Sequence, residues 1–192
     1  MAIKPILFNT EMVRAILEGR KSCTRRLVKF LSGENSRWTG YIKDELMLYN
    51  GKNEPCIRKA PYQPGDILYV RETWKKAPNG YYYYEDWQRN DIADVTKWKP
   101  SIHMPKEAAR IWLKVTDVRV ERLQEITAES ALAEGTDKYI HLNGKFDENA
   151  ILTSFMGIWN STIKNSDLDR YGWNANPWVW VIEFEQVKSQ KW

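Results

Sequence analysis

The alternation of apolar and polar residues predicts two long strands in this chain. A two-residue period is typical of a strand with one buried face, and it runs through Ala109–Leu123 and Trp178–Val187. In the first of these stretches the phase of the alternation changes near Thr116 and Asp117, which predicts a β-bulge. In the second, one face is uniformly apolar; it consists of Trp178, Trp180, Ile182 and Phe184.

Apolar residues at helical spacing predict three helices, and capping residues precede the first two: Asn9 and Thr10 for the first, and Thr127 for the second. They cover Glu11–Glu18, Ala128–Glu134 and roughly Asn149–Ile163. The first two are followed by Gly19 and Gly135, and glycine readily adopts the left-handed conformation that ends a helix. Shorter strands are predicted at Pro5–Phe8, Leu27–Phe30, Ile67–Trp74 and Tyr81–Tyr84, and a pairing of two strands is predicted within Tyr41–Tyr49. The sum is an α+β fold, a small mixed β-barrel with short flanking helices.

The length of 192 residues suits one domain with a sizeable core. Leu31–Lys59 is polar and irregular, so we expect a single domain over 1–192 with an insertion at 31–60. The net charge of +4 fits a partner that carries a few phosphates. Ten Trp and ten Tyr indicate either heavy cores or stacking surfaces.

Cysteine and histidine usage gives no sign of a disulfide framework or a metal site. Cys23 and Cys56 are the two cysteines, a number that favours a reducing compartment. With His103 and His141 they lack the paired short spacings of a zinc site, so no metal and no cofactor is expected. The N-terminal segment lacks the apolar core of a signal peptide, and no apolar run has the length of a membrane span. We expect a cytoplasmic protein without a membrane partner.

The stretch Gly19–Arg26 concentrates the candidate chemistry, because four cations and two hydroxyls follow a turn glycine. Thr24 could act as a nucleophile activated by Lys21, a variant of the serine–lysine pairing. That role requires a neutral lysine, which burial and neighbouring cations favour. The alternative is structural: cations after a helix C-terminus complement its dipole, and Thr24 begins a strand.

Glu134 ends the second predicted helix, where the helix dipole disfavours a carboxylate. In a pocket, this position would suit a general acid that protonates a leaving group. The alternative is a solvated glutamate on the surface.

Five further residues are candidates for the rim of a pocket. The strand Ile67–Trp74 begins apolar and ends polar, so its end is predicted at the edge of the core. Arg71 could contact a phosphate or pair with Glu72. Trp74 and Trp178 could each stack on a base or fill the hydrophobic core. His103 lies in a loop bounded by prolines and either lines the mouth of the pocket or is an ordinary surface residue.

The motif Gly19-x-Lys21-x-x-Thr24-x-Arg26 resembles the signature of the ASCH domain, a branch of the PUA-like β-barrel superfamily. The turn Pro64–Asp66, the helix from Ile126 to Gly135 and the strand Val179–Phe184 are similar to further elements of that family. Three segments resemble a phage and prophage subgroup; they are Val70–Trp74, Ser101–Pro105 and Asn176–Trp180. The resemblance covers most of the chain apart from Leu31–Lys59 and Tyr139–Asp147.

The resemblance implies binding of RNA or of a modified nucleoside. One bacterial ASCH family hydrolyses the amide of N4-acetylcytidine with a lysine, a threonine and a glutamate, which correspond here to Lys21, Thr24 and Glu134. Thr24 would attack, Lys21 would accept its proton and Glu134 would protonate the departing nitrogen. The predicted substrate-binding residues are Gly19, Arg26, Arg71, Glu72, Trp74, His103 and Trp178.

Two other functions stay open at this point. One is a non-catalytic reader of modified bases, which uses the same pocket without turnover. The other is a metal-dependent ribonuclease, to which some ASCH proteins are similar. The sequence disfavours the ribonuclease because it contains no tight carboxylate cluster with the spacing of metal ligands.

Overall fold

A computed structural model describes residues 1–31, 56–87, 97–136 and 147–188, and the backbone of 41–43, 47–49, 141–142 and 145–146. The strands are β1 (Ile3–Leu7), β2 (Cys23–Leu27), β3 (Tyr41–Lys43), β4 (Met47–Tyr49), β5 (Ile67–Arg71), β6 (Trp74–Ala77), β7 (Gly80–Tyr83), β8 (Trp112–Arg122), β9 (His141–Leu142), β10 (Lys145–Phe146) and β11 (Trp178–Val187). The helices are α1 (Thr10–Leu17), α2 (Tyr84–Trp87), α3 (Ala128–Ala133), α4 (Glu148–Ser161) and α5 (Leu168–Tyr171).

A five-stranded sheet in the order β1-β5-β8-β11-β2 forms the centre of the fold. β1 and β5 are parallel, and the other neighbours are antiparallel. The α+β class is therefore confirmed. The predicted closed barrel is wrong, since β1 and β2 are edge strands and no ladder joins them among the described residues. Periodicity shows which face of a strand is buried, but it carries no information on whether the first and last strands meet.

The pairing of β8 with β11 is the longest ladder of the sheet and contains the predicted bulge. Glu183 lies opposite Asp117, whereas the next residue, Phe184, lies opposite Val115. Thr116 is therefore the extra residue, as the change of phase in the sequence predicted.

β11 separates two hydrophobic cores. Trp180, Ile182 and Phe184 contribute to one, and Val179 and Val181 contribute to the other. The first core includes Val13 and Ile16 of α1, and the second includes Ala131 of α3 with Ile151, Phe155 and Trp159 of α4. The sheet thus carries α1 on one face and α3 with α4 on the other.

The predicted helix ends are confirmed. The Asn9 side chain accepts a hydrogen bond from the Met12 N–H at the start of α1. The Thr127 hydroxyl does the same for the Ser130 N–H at the start of α3. Gly19 and Gly135, which follow these helices, have φ angles of 71° and 90°.

One strand begins earlier than predicted. The strand expected at Leu27–Phe30 is β2, which spans Cys23–Leu27 and contains the charged pair Arg25 and Arg26. Charged side chains are compatible with an edge strand, where one side of the backbone is unpaired. The charges of Arg25 and Arg26 interrupt the apolar pattern, so the predicted strand began only at Leu27.

The predicted insertion at 31–60 lies largely outside the described residues, which omit the side chains of 32–55. Its end is described: Ile57 forms an antiparallel bridge with Phe30, is 2% exposed, and belongs to the core that includes α1. The single-domain organisation stays a prediction. The helices of the described segments are all too short or too polar to span a bilayer.

Candidate functional site

A cavity of about 210 Å³ lies at the free edge of β2. One wall comes from the end of β1 and the start of α1, and the other comes from α4. Its lining consists of Leu7, Phe8, Asn9, Met12, Lys21, Thr24, Arg25, Arg26, Glu134, Phe155, Ile158, Trp159 and Thr162. The three predicted catalytic residues thus line one cavity, together with one predicted binding residue, Arg26.

The turn at Gly19 brings Lys21 to this cavity. Gly19 has the left-handed conformation, and the next two N–H groups, of Arg20 and Lys21, both donate to the carbonyl of Ala15 at 2.8 and 3.0 Å. The chain then leaves α1 as β2, and Lys21 forms an isolated antiparallel bridge with Glu134. Gly19 itself shapes the backbone and does not line the cavity.

The Lys21 ammonium has three hydrogen-bond acceptors. Its Nζ donates to the Cys23 carbonyl at 2.7 Å, to the Glu134 carbonyl at 2.8 Å and to Glu134 Oε2 at 2.8 Å. An ammonium has three N–H donors, so all of them are used. The contacts described for Lys21 include no hydrogen bond to the Thr24 hydroxyl. In this structure Lys21 is therefore an ion-pair partner of Glu134, not a base bound to Thr24.

Glu134 is a buried carboxylate between two cations. Its Oε2 accepts from Lys21, and its Oε1 accepts from Arg25 Nη1 at 3.2 Å. The residue is 7% exposed, so the solvated-surface alternative does not describe it. A buried charge requires such compensation, because transfer of an isolated carboxylate out of water costs far more than one hydrogen bond returns.

Arg25 is a member of the site that the sequence did not predict. Its Nη2 donates to the Ser130 hydroxyl at 2.8 Å and lies 3.5 Å from Glu121 Oε2. The guanidinium lies 5.9 Å from the centre of the Phe155 ring. Its buried Nε has no hydrogen-bond partner among the described residues. The sequence does place Arg25 in the same motif as Lys21 and Thr24, but the motif does not reveal which of its cations faces α3.

Among the described residues, backbone groups at the outer edge of β2 are left without a partner. Val28 N–H donates to Trp178 O, and Ser22 O accepts from Phe184 N–H. In an antiparallel ladder the bonded residues alternate, so Cys23, Arg25 and Leu27 direct their backbone groups away from β11. The Cys23 carbonyl is occupied by Lys21. The N–H and C=O of Arg25 therefore offer a donor and an acceptor side by side at the edge where the cavity lies.

Two aromatic rings form opposite walls of the cavity. Phe8 follows β1, whereas Phe155 lies on α4. Lys21 Nζ and the Arg26 guanidinium each lie 5.4 Å from the centre of the Phe8 ring, within the range of a cation–π contact. The cavity thus combines apolar walls with fixed polar groups, the usual composition of a site for a small polar ligand.

Arg71 and Glu72 do not form the ion pair that was one of the two alternatives for Arg71. Arg71 donates to the Ile102 carbonyl and to the Tyr69 hydroxyl, both at 3.2 Å. Glu72 instead accepts two hydrogen bonds of 2.9 Å from Arg110. Burial raises the pKa of Glu72, and the bonds from Arg110 offset only part of that effect. Neither residue lines the cavity.

The other predicted binding residues also lie away from the cavity. Trp74 is 5% exposed and belongs to a small core with Met104 and Ala108. His103 is exposed in a 3-10 turn. Trp178 is half-buried, and the Arg122 guanidinium lies 4.3 Å from the centre of one of its rings.

A metal site has no obvious ligands in the described segments, where no three His, Cys, Asp or Glu residues lie close enough to share an ion. The His141 side chain lies outside the described residues.

Comparisons with known proteins identify no family for this chain. No protein-family model matches the sequence, and no curated protein matches it. Among solved structures, the chain is similar to the ASCH domain from Lactobacillus crispatus JV V101, determined as a high-resolution crystal structure. The two share 14% identity over 98% of this chain and 81% of the other, with a TM-score of 0.39. At these values the likeness does not establish membership of the family.

Proposed function

We propose that the protein is an ASCH-like domain that binds a nucleoside, or the base of a nucleotide or RNA, in the cavity at the free edge of β2. One observation carries the proposal. Lys21 and Glu134 are 113 positions apart in the sequence, and together with Thr24 they line the same cavity. These are the residues that the ASCH resemblance assigns to nucleoside chemistry.

The size and polarity of the cavity favour a ligand no larger than one base with its sugar. Its volume of about 210 Å³ is below the roughly 300–1,000 Å³ of sites for drug-sized molecules. The Arg25 backbone edge and the Thr24 hydroxyl can pair with the polar edge of a base. Such groups discriminate well, because a ligand that lacks the matching atom leaves them unpaired.

Calorimetric titration with cytidine, N4-acetylcytidine and the other common nucleosides tests this function. The Thr24→Val variant keeps the shape of the side chain and removes its hydroxyl, so we expect an affinity about 2- to 12-fold lower, equivalent to one hydrogen bond. Thr116→Val is the matched control, since Thr116 is exposed in the β8 bulge. No binding of any of these nucleosides at millimolar concentration would contradict the proposal.

Hydrolysis of N4-acylated cytidine is the second candidate, and the 2.8 Å bond between Lys21 and Glu134 favours it. Transfer of one proton along this bond converts the ion pair into a neutral amine and a carboxylic acid. The Lys21 amine then accepts the Thr24 hydroxyl proton while the Thr24 oxygen attacks the acyl carbon. Glu134 protonates the departing N4, and water hydrolyses the acyl ester on Thr24.

Turnover of N4-acetylcytidine separates this candidate from a non-catalytic reader. An amidohydrolase of this kind retains activity as Thr24→Ser, loses it as Thr24→Val or Glu134→Gln, and is insensitive to a chelator. A reader binds with no turnover. Wild-type rates in Thr24→Val would remove the nucleophile assignment and leave the binding function intact, whereas loss of activity with chelator would favour the metal-dependent alternative.

A further inference from the structure

Two further depressions continue from the candidate cavity along the end of β2. They measure about 360 and 410 Å³. The first shares Leu7 and Arg26 with the cavity, and the second shares Leu27, Lys29 and Arg58 with the first. The three depressions therefore lie next to one another along β2 and the residues that follow it. We name the two outer depressions the basic groove and define it by four lining cations: Arg26, Lys29, Arg58 and Lys59.

The charges of the basic groove are all positive. Its four cations are exposed, and among the described residues no Asp or Glu lines either depression. Within the described segments, none of the four forms an ion pair with a carboxylate. Within the described segments, these four charges therefore add up to one patch of positive charge. The groove is therefore suited to a ligand with several negative charges.

Main-chain pairing holds these cations in register with β2. Beyond the end of β2, the Arg58 N–H donates to the Lys29 carbonyl at 2.8 Å, and the Leu31 N–H donates to the Cys56 carbonyl at 2.9 Å. Ile57, between Cys56 and Arg58, is buried in the core. The backbone of Arg58 is thus fixed beside that of Lys29. This pairing keeps the two charges adjacent without a contact between the side chains.

Aromatic residues line the basic groove together with the cations. Tyr62 and Trp180 line the depression next to the cavity, and Phe30 and Tyr171 line the outer one. Trp180 is buried and forms part of the floor, whereas the other three are half-buried. Cations that follow a phosphate backbone, combined with aromatic faces for the bases, are characteristic of proteins that bind single-stranded nucleic acid.

We propose that the basic groove binds the sugar–phosphate backbone of a single-stranded nucleic acid. This inference deepens the function proposed above and rests on it for the base that enters the cavity. The natural ligand is then a base within a strand, and the free nucleoside occupies only the inner end of the site.

The test compares cytidine with single-stranded oligonucleotides of about eight nucleotides. RNA and DNA of the same sequence are used as separate probes, because both carry the phosphodiester backbone. The groove variant is Lys29→Ala/Arg58→Ala. The control is Lys114→Ala/Lys188→Ala, which removes the same charge at the far end of β8 and β11. Lys188 lies about 26 Å along the strand from Trp180, which lines the groove.

Four phosphate contacts predict that oligonucleotide affinity falls about 50-fold between 50 and 200 mM salt. In the groove variant two contacts remain, and the fall decreases to about 7-fold. Cytidine affinity is unchanged in both double variants, and the control retains the full salt dependence for the oligonucleotide. A preference of one probe identifies RNA or DNA as the ligand.

Three outcomes separate the two proposals. Oligonucleotide affinity equal to that of cytidine, or unaffected by the groove variant, overturns the groove and leaves the nucleoside function standing. Oligonucleotide binding that the groove variant weakens, but with no cytidine binding and no effect of Thr24→Val, supports the groove and overturns the function of the cavity. Tighter binding of duplex than of single strand overturns the groove as proposed.

Discussion

Lys21 Nζ donates a 2.8 Å hydrogen bond to Glu134 Oε2 across 113 positions of sequence, and both side chains are buried. The bond ties the beginning of β2 to the end of α3. A second bond from the same nitrogen to the Glu134 carbonyl fixes the backbone at that point. The pair therefore has a structural role whether or not the site is catalytic.

Removal of either charge should destabilise the fold. We expect Glu134→Gln to lower the free energy of unfolding by about 3–5 kcal/mol, because it leaves the buried Lys21 charge without a carboxylate. Lys21→Met should cost less, because Arg25 still pairs with Glu134. The double variant should cost less than the sum of the two. Denaturant unfolding measures all three, with Glu107→Gln on the surface as the control, expected within about 0.5 kcal/mol of wild type. Additive effects would show that the two residues do not interact.

Gly135 keeps the space that Lys21 needs. Its φ of 90° disfavours any side chain, and an added Cβ would lie 2.8 Å from Ala15 Cβ and 3.2 Å from Lys21 Cβ. Gly19 also has a positive φ, of 71°, but an added Cβ there meets nothing within 4 Å. A substitution at Gly19 therefore introduces backbone strain alone, whereas one at Gly135 introduces both strain and crowding.

We expect Gly135→Ala to lower the free energy of unfolding by about 2–5 kcal/mol, the sum of backbone strain and overpacking. Gly19→Ala should cost about 1–2 kcal/mol, from strain alone. Thermal or denaturant unfolding gives both values, and nucleoside titration reports any displacement of Lys21. Equal costs would indicate that Ala15 and Lys21 move aside at little expense.

Features that depend on neighbouring residues were predictable from the sequence. Asn9 and Thr127 cap their helices as expected, and Thr116 is the extra residue of the bulge. Each of these follows from a local rule of capping or alternation. The convergence of Lys21 with Glu134 came from the family resemblance, because no local rule links residues so distant in the chain.

Features that depend on distant pairing were not predictable. Glu72 pairs with Arg110 rather than with its neighbour Arg71, because the two residues meet only after the strands assemble. The open edge of β2 is of the same kind, since strand order decides it. The role of Arg25 is a further example. Side chains of a strand alternate between its two faces, but only the assembled sheet determines which of those faces packs against α3.

Asp66 should make the stability of the fold depend on acid pH. It is 4% exposed and accepts hydrogen bonds from Lys4 Nζ at 2.7 Å and from the N–H groups of Ala2 and Gln63 at 2.8 and 3.2 Å. Burial alone would raise the pKa of Asp66, but these bonds outweigh it and hold the pKa below the ordinary 3.8. The carboxylate therefore joins β1 to the turn before β5.

A lowered pKa gives a stabilisation that is present above the unfolded-state pKa and is lost as the pH falls through the native one. Asp66→Asn should lower the free energy of unfolding by about 1.5–3 kcal/mol at neutral pH, the usual contribution of hydrogen bonds to a charged group. The difference from wild type should shrink as the pH falls below about 3.8. Urea unfolding across this range checks it, and a difference independent of pH would contradict the assignment.

Cys23 should be the inert thiol of the chain. Its side chain is 3% exposed in the core beneath α3 and α4, and burial, reinforced by the Glu134 charge, raises its pKa from 9.0 to about 12. The thiolate is the reactive form, so a thiol reagent at mildly alkaline pH should modify the half-buried Cys56 and leave Cys23 unmodified in the native protein. Cys56→Ser should then show almost no labelling, and Cys23→Ala should label like wild type.

The same shift predicts a loss of stability at alkaline pH. Above about 9 the thiol ionises in the unfolded chain, whereas the native thiol keeps its proton to about 12. The native state then binds more protons than the unfolded state, so the free energy of unfolding falls as the pH rises through this window. Cys23→Ala should lack this part of the pH dependence. Rapid labelling of Cys23 in the native protein would contradict this assignment. It would mean that the core around Cys23, whose carbonyl accepts a hydrogen bond from Lys21, opens locally at a free energy far below that of global unfolding.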